Sequence, residues 1–293
     1  MSFSADWLAL REPADRAARR RAAATWAPLR AMARSEGAAG PLRVLDLGAG
    51  TGSNLRALAP WLGGAQRWRT VDHDARLLAA QPAALGRWAR SIGARSAGEA
   101  SRIDAGGFSV ELERIAADLA DPVAFDALFA RADIDLVTAS ALLDLVGEDW
   151  LHRWVDRCGA AGAAVHAALS VDGRWTVVPA DRGDARLRRA FARDQRRDKG
   201  LGRALGEHAP RVAARRLRAA GYRVVTARSD WVLHATAHRA LVHELLSGMT
   251  AAAIAADPVH RALHAAWLRR RLAALRRGRL RMRVGHVDLT ATR

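Results

Sequence analysis

Residues 44–54 read Val-Leu-Asp-Leu-Gly-Ala-Gly-Thr-Gly-Ser-Asn. An apolar run of this kind reads as a short buried strand. It breaks into Gly48, Gly50 and Gly52, and a helix pattern begins near Asn54. Alternate glycines let a backbone turn tightly and leave no Cβ between its N–H groups and a ligand. The N–H groups that open the following helix would then face a negatively charged or electron-rich group. The chemistry implied is a small polar ligand cradled by bare backbone, with the carboxylate of Asp46 two residues ahead of the first glycine.

The spacing narrows the ligand. A dinucleotide fingerprint places glycines first, third and sixth in Gly-x-Gly-x-x-Gly, whereas here the sixth place is Ser53 and the third glycine arrives early, at Gly52. Asp46 would sit badly beside a pyrophosphate and well beside the ammonium of an amino-acid moiety. The chain has no Gly-x-x-x-x-Gly-Lys-Ser/Thr, so a nucleoside triphosphate loop is excluded. Residues 46–52 thus resemble the first motif of the class I S-adenosylmethionine-dependent methyltransferases, Asp-x-Gly-x-Gly-x-Gly, and bacterial enzymes of unassigned substrate in particular.

Further carboxylates fall where that family would place them. Residues 68–72 read as a second strand ending in Asp72, where a carboxylate can accept hydrogen bonds from both ribose hydroxyls. Residues 115–119 read as a third strand end, and the resemblance sets Asp118 against the adenine amino group. Residues 134–140 form a fourth apolar run leading to Asp144, where the family's fourth strand meets the reactive methyl. The resemblance therefore implies S-adenosylmethionine as cofactor, bound by Asp46, Gly48, Ala49, Gly50, Gly52, Asn54, Asp72, His73, Asp118, Leu119 and Ser140. It covers roughly residues 42–228 and a last strand near the C-terminus.

Methyl transfer from a sulfonium is an in-line displacement with an activated donor, so the protein must align the acceptor, exclude water and remove a proton where the nucleophile is weak. Asp144 and Lys199 are the candidate catalytic residues; the bland reading of Asp144 is a helix cap or surface carboxylate. Lys199 is the single lysine among 47 basic residues. A compact ammonium kept where arginine is used everywhere else suggests contact with a carboxylate or phosphate. Around it, residues 194–202 (Asp-Gln-Arg-Arg-Asp-Lys-Gly-Leu-Gly) look like a stretch found after strand five in those bacterial enzymes. With glycines at 200, 202 and 206, the segment could fold over a substrate as a lid. Gln195, Asp198 and Lys199 are assigned to the acceptor on that basis, with Trp231 lining its pocket; an exposed charged loop is the competing reading.

These residues need a scaffold. Strands at 44–47, 68–72, 115–119, 134–140 and 163–169 alternate with helices at 53–62, 74–80, 122–131 and 148–158, the pattern of a doubly wound, mostly parallel sheet whose ligands lie at the carboxyl ends of the strands. Residues 3–37 read as helical and stop at 37–41. Pro82 interrupts the chain after the second strand, leaving a short helical piece at 85–92 and a Gly/Ser-rich loop at 93–107. Asp172-Gly173 suggests a hairpin. Residues 221–226 would be strand six, and two helices divided by Asp257-Pro258 occupy 237–277. A final strand at 284–290 would lie antiparallel at the sheet's end in the resembled fold. The expected organisation is a helical cap (1–41), a seven-stranded Rossmann-like methyltransferase core (42–236) with a lid loop at 181–208, a helical insertion (237–278) and a final core strand (279–293).

Composition bounds the rest. The 293 residues suffice for one large core with a small accessory part. No apolar run reaches the ~18 residues of a membrane span, no secretory leader is evident, and Cys158 stands alone, so a cytoplasmic protein without disulfides or cysteine-bound metal is expected. The net charge of +17 favours anionic partners, in keeping with an anionic small-molecule acceptor. Eight arginines between 269 and 283 raise the alternative of an RNA methyltransferase. No RNA-binding module accompanies them, and no aromatic residues interleave the basic run. A cofactor-binding scaffold without activity is a third reading. His260/His264 and His234/His238 share a four-residue spacing that can hold zinc, but they lack a Glu partner and a third ligand. They read as surface or packing residues, and His166 as a buried hydrogen-bonded one. Most of the ten tryptophans read as core.

Overall fold

A computed structural model describes residues 3–33, 40–130 and 133–293; the stop expected at Gly37 lies outside them. The chain opens with helix α1 (Ala5–Arg21), a 3-10 turn (Ala23–Trp26) and α2 (Ala27–Ala33). The alternating part runs β1 (Leu42–Leu47), α3 (Ser53–Leu62), β2 (Gly64–Asp72), α4 (Ala75–Ser91), β3 (Arg95–Ala97), β4 (Arg102–Ala105), β5 (Phe108–Ala116), α5 (Pro122–Ala130), β6 (Leu136–Ser140), α6 (Glu148–Ala160) and β7 (Ala164–Val178). It continues through α7 (Asp184–Gln195), α8 (Ala209–Ala219), β8 (Arg223–Arg228), β9 (Trp231–His234), α9 (Arg239–Ala256), α10 (Arg261–Arg276) and β10 (Arg281–Thr292).

The strands form one ten-stranded sheet in the order β3-β4-β5-β2-β1-β6-β7-β10-β8, with β9 also on β10. Its centre, β5-β2-β1-β6-β7, is parallel. Side chains alternate across it with the two-residue period of a strand. Leu45 and Leu47 join the core under α5, α6 and α8, while Val44 joins the core under α2, α3 and α4. A third core gathers α1, α7, α9 and α10 over the far half of β7 and β10. Helices on both faces of a mostly parallel sheet make this the expected doubly wound, Rossmann-like architecture.

Register brings the ligand-facing ends together. Leu47 pairs with Val71 and with Ala139, so Gly48 emerges between Asp72 and Ser140. Asp72 in turn pairs with Ala116, two residues before Asp118.

Several local expectations are corrected. Pro82 lies inside α4, which is one continuous helix. Leu77, Leu78, Gln81, Leu85 and Ala89 keep one face of it buried, and that burial outweighs the roughly 3 kcal/mol an interior proline costs. The Gly/Ser-rich segment 93–107 holds a hairpin, β3-β4, which extends the sheet beyond seven strands and in which Ile103 is fully buried. Asp172-Gly173 is no hairpin: β7 runs through it, and residues 172–174 oppose only Gly285 of β10, a bulge rather than a turn. β10 is antiparallel as expected but lies between β7 and β8, not at the sheet's end. Asp181–His208 is not one loop, since α7 takes up half of it. No helix among the described residues is long and apolar enough to cross a membrane.

Candidate functional site

The glycine loop is built by backbone conformation. Gly48, Gly50 and Gly52 all take the left-handed conformation, with φ of +65°, +54° and +80°, where a Cβ would be strained. The Ala49 amide donates to Val71 O at 2.9 Å. The Gly50 amide donates to Asp72 Oδ2 at 2.8 Å, and Gln81 Nε2 donates to Gly50 O at 2.9 Å. Asp72 thus braces the loop before it meets any ligand. Its other oxygen, Oδ1, accepts the Asp74 amide at 2.9 Å, and each oxygen keeps a second lone pair.

A cavity of about 310 Å³ opens at this edge of the sheet. Gly48, Gly50, Asp72, His73, Asp118, Leu119 and Ser140, all expected to bind cofactor, line it, with Leu77, Leu142 and Leu201 as apolar walls. Asp118 stands on the exposed rim, where its Oδ1 accepts the Ala120 amide at 2.9 Å. The half-exposed His73 lies with Nδ1 3.5 Å from Asp72 Oδ1.

Four expected cofactor residues are not brought to this wall. Ala49 and Gly52 are buried in the loop, and Asp46 and Asn54 lie behind it. Asn54 Nδ2 donates to Asp46 Oδ1 and to Thr138 Oγ1, both at 2.9 Å, while Asp46 Oδ2 is enclosed without a hydrogen-bond partner. Burial, partly offset by the Asn54 hydrogen bond and the nearby Arg19, pushes the Asp46 carboxyl up to about 7. The helix N-terminus also differs from expectation, because neither Ser53 nor Asn54 faces the cavity.

A second cavity, about 320 Å³, adjoins the first and shares Phe3, Arg11, Ala141, Leu145 and Lys199 with it. Asp144, Gln195 and Trp231 line it, as expected. The remaining walls are mainly apolar and aromatic, among them Trp7, Trp175, Phe191 and Met249. Asp198 does not reach it: the residue is exposed, and its Oδ1 accepts the Gly200 amide at 2.7 Å within its own loop. The Lys199 ammonium is already matched, 3.1 Å from Asp194 Oδ2. The Lys199 segment is pinned to the stretch after Asp144, because Gly147 N donates to Leu201 O and Leu205 N to Val146 O, both at 2.8 Å. Of the helical pair, α9 lines this cavity through Glu244, Leu245, Gly248, Met249 and Ala252, whereas α10 stands behind it.

Asp144 is a perturbed group on these walls. Its Oδ1 is enclosed without a hydrogen-bond partner. Burial pushes its carboxyl up to about 6, against the lowering effect of backbone hydrogen bonds and of Arg11 and Lys199.

The N-terminal helices were expected to enclose the acceptor, but sequence reading singled out none of the residues they carry. α1 carries Trp7, Leu8 and Arg11 over both cavities, and Arg11 Nε donates to Asp15 Oδ2 at 2.9 Å. Trp231 Nε1 donates to Asp15 Oδ1 at 2.9 Å, and the Arg11 guanidinium lies 5.2 Å from the Trp231 ring. The available signal was the recurrence of Leu8, Arg11, Asp15 and Arg19 at helical spacing. His286, also missed, packs on Trp231 with ring centroids 4.9 Å apart.

The other candidates have structural partners. His260 and His264 share Asp257, at 2.9 and 3.2 Å. His238 Nδ1 accepts the His234 amide at 3.2 Å, and His166 Nδ1 meets Thr290 Oγ1 at 2.9 Å. Within the arginine cluster, Arg270 pairs with Asp181, Arg271 with Asp184 and Arg283 with Asp230.

No family model and no curated protein matches the chain. It is similar to solved structures. One is a SAM-dependent methyltransferase from Thiobacillus denitrificans in complex with S-adenosyl-L-homocysteine, 18% identical with a TM-score of 0.42 over 100% of both chains. The YcgJ protein of Bacillus subtilis is 12% identical with a TM-score of 0.45, over 92% of this chain and 99% of that one. The cyclopropane synthase MmaA2 of Mycobacterium tuberculosis is 11% identical with a TM-score of 0.43, over 91% and 83%. The structural neighbours of this chain thus include SAM-dependent methyltransferases over most of its length.

Proposed function

We propose that this chain is an S-adenosylmethionine-dependent methyltransferase acting on a small molecule. The observation that carries the reading is that two cavities meet across one short segment, with Ala141 and Leu145 facing both. One is floored by bare glycine backbone and flanked by carboxylates; the other is an apolar, aromatic chamber. In-line transfer needs donor and acceptor held end to end with water shut out, and adjoining chambers under a common roof suit that need.

The residues of the first cavity fit the cofactor, which when bound supplies a methyl group already activated on a sulfonium. Asp72 has a free lone pair on each oxygen for vicinal ribose hydroxyls. A Cβ at Gly48 would lie 3.5 Å from Leu142 Cδ1 and narrow the cradle. Asp118 is our candidate for the exocyclic amine of the base, on a cavity it lines together with the apolar Leu119 and Leu201. Because Asp46 is shut behind the loop, Ser140 and Arg11 are the polar groups left for the amino-acid portion. Asp144 stands on the acceptor side, and Lys199 at the boundary that both cavities share. Phe3 lines both cavities, and Trp7 and Leu8 one each, an apolar cover suited to excluding water from the junction.

The test is direct. Titration calorimetry with S-adenosylhomocysteine should show one site per chain, and methyl-labelled cofactor with fractionated cell extract should label small metabolites. Absence of nucleoside binding would overturn the reading; label entering RNA would redirect it.

A further inference from the structure

Of the charged groups lining the acceptor cavity, the cations are all paired and two of the carboxylates are not. Three cations face it, and each already has a carboxylate: Arg11 has Asp15 at 2.9 Å, Arg174 has Asp230 at 3.0 Å as well as Asp172, and Lys199 has Asp194 at 3.1 Å. Two carboxylates on the same walls have no lysine or arginine partner among the described residues. Asp144 forms no ion pair and has an enclosed oxygen with nothing to bond. Glu244 meets its neighbour His243 at 3.2 Å. His286 adds no compensating charge, since burial pushes its imidazole down to about 3. The Asp144 carboxylate is enclosed, and an unpaired carboxylate held away from water is costly, so a cationic guest relieves a penalty that an anionic one would deepen; the exposed Glu244 adds negative charge at the same wall. The aromatic walls favour the same guest, because ring faces attract ammonium groups.

We propose, resting on the methyltransferase reading, that the acceptor is an amine carrying an apolar or aromatic body, its nitrogen hydrogen-bonded to Asp144. This replaces the anionic acceptor suggested by the overall charge and by Lys199: that charge is spread over the surface, and the lysine is spoken for. The proton balance follows. The bound ammonium gives one proton to Asp144, and the nitrogen lone pair forms the N–CH3 bond. As the S–CH3 bond breaks, its electron pair stays on sulfur, and the positive charge passes from sulfur to nitrogen.

The experiment needs no turnover. Phenylethylamine, 2-phenylethanol and 3-phenylpropanoate share one body and differ in the head group. Each is titrated into the purified protein, with S-adenosylhomocysteine in parallel. The amine should bind at least ~10-fold tighter than either analogue, the scale of one charge-assisted hydrogen bond. Asp144→Asn should remove most of that preference and Glu244→Gln part of it, with S-adenosylhomocysteine affinity unchanged. Glu244 is exposed on α9, so its variant keeps the test decisive if the Asp144 variant folds poorly. The proposal is overturned if the alcohol or carboxylate binds as well as the amine, if none of the three binds, or if the preference survives both substitutions. Amine preference without S-adenosylhomocysteine binding would sink the cofactor reading and leave the charge assignment standing; the opposite result would do the reverse.

Discussion

Arg19 donates to Asn54 Oδ1 at 2.5 Å across 35 residues of sequence, tying α1 to the helix behind the glycine loop. A second guanidinium nitrogen donates to Ser140 Oγ at 2.7 Å, at the end of β6. Arg19 is only 2% exposed. Burial lowers its affinity for its proton, while Asp15, Asp288 and Asp46 around it act to restore it. The roof over both cavities is therefore latched by one buried cation.

Replacing that cation should loosen the roof first. Arg19→Met strands Asn54 Oδ1 and leaves the neighbouring carboxylates without a counter-charge, a loss of about 2–4 kcal/mol. Amide exchange in α1 should accelerate more than in β1 or β6. Arg20→Met, on the exposed side of the same helix, should stay within about 0.5 kcal/mol of the parent. Equal urea midpoints for the two variants would refute the latch.

Asp72 serves the loop before it serves a ligand. In Asp72→Asn one oxygen must be replaced by an NH2 group that faces the amide of either Gly50 or Asp74, donor against donor. Losing a hydrogen bond to a charged acceptor costs about 1.5–3 kcal/mol, so S-adenosylhomocysteine affinity should fall roughly 10- to 100-fold. Asp118→Asn, at the rim, should cost no more than about fivefold, as expected for an exposed contact. Calorimetry on the three proteins decides the order.

Gly50 faces two separate obstacles to any side chain. Its φ of +54° disfavours a Cβ, and that Cβ would come within 2.9 Å of Leu8 Cδ1. Gly50→Ala should therefore cost about 1–2 kcal/mol from conformation alone and more from the clash. Adding Leu8→Ala should recover the second part and not the first. A double-mutant cycle with no coupling would show that α1 does not press on the loop.

The fold was legible because its central strands are short apolar runs, each leading to a glycine or a carboxylate. Trp231 and Asp144 were readable for the same reason, since each follows an apolar run. Arg19 was not: it sits among Arg16, Arg20 and Arg21 in a chain where all but one of 47 basic residues are arginine, and only tertiary packing tells them apart. Asp172-Gly173 has the residues of a turn, but the antiparallel pairing with β10, over a hundred positions away, turns it into a bulge. Lys199 drew attention by its rarity, whereas its partner Asp194 lies on α7, which the sequence reading had merged into a loop.

His166 gives a pH signature. Burial, helped by the nearby Arg19 charge, pushes its imidazole down to about 3. Below an unfolded value near 6.5 the unfolded chain binds a proton that the folded protein refuses, so this residue's contribution to stability is lost as pH falls from about 6.5 toward 3. Asp46 and Asp144, with raised values, act in the opposite sense, and His286, also pushed down to about 3, acts in the same one. Comparing His166→Asn with the parent cancels those groups. From pH 6.5 to 5.0 the variant should lose about 1.5 kcal/mol less stability than the parent, close to one proton's worth. Parallel curves in urea unfolding would refute the assignment.

The arginine cluster should separate by burial rather than by sequence position. Arg271 is 3% exposed, pairs with Asp184, donates to Pro179 O at 2.5 Å and lies 5.5 Å from the Trp267 ring. Asp184 also accepts Trp267 Nε1 at 2.7 Å, so the three residues lock α10 to α7, which in turn packs against α9 behind the acceptor cavity. Arg271→Ala removes one partner of a buried pair and should cost about 3–5 kcal/mol, whereas exposed Arg277→Ala should be nearly silent. An RNA-binding face predicts another pattern: the exposed arginines would govern a salt-dependent affinity for tRNA, and Arg277→Ala would weaken it while leaving stability alone. Measuring urea midpoints and tRNA binding on both variants separates a structural clasp from a nucleic-acid surface. A large stability loss confined to Arg271, with tRNA affinity indifferent to Arg277, is the expected result.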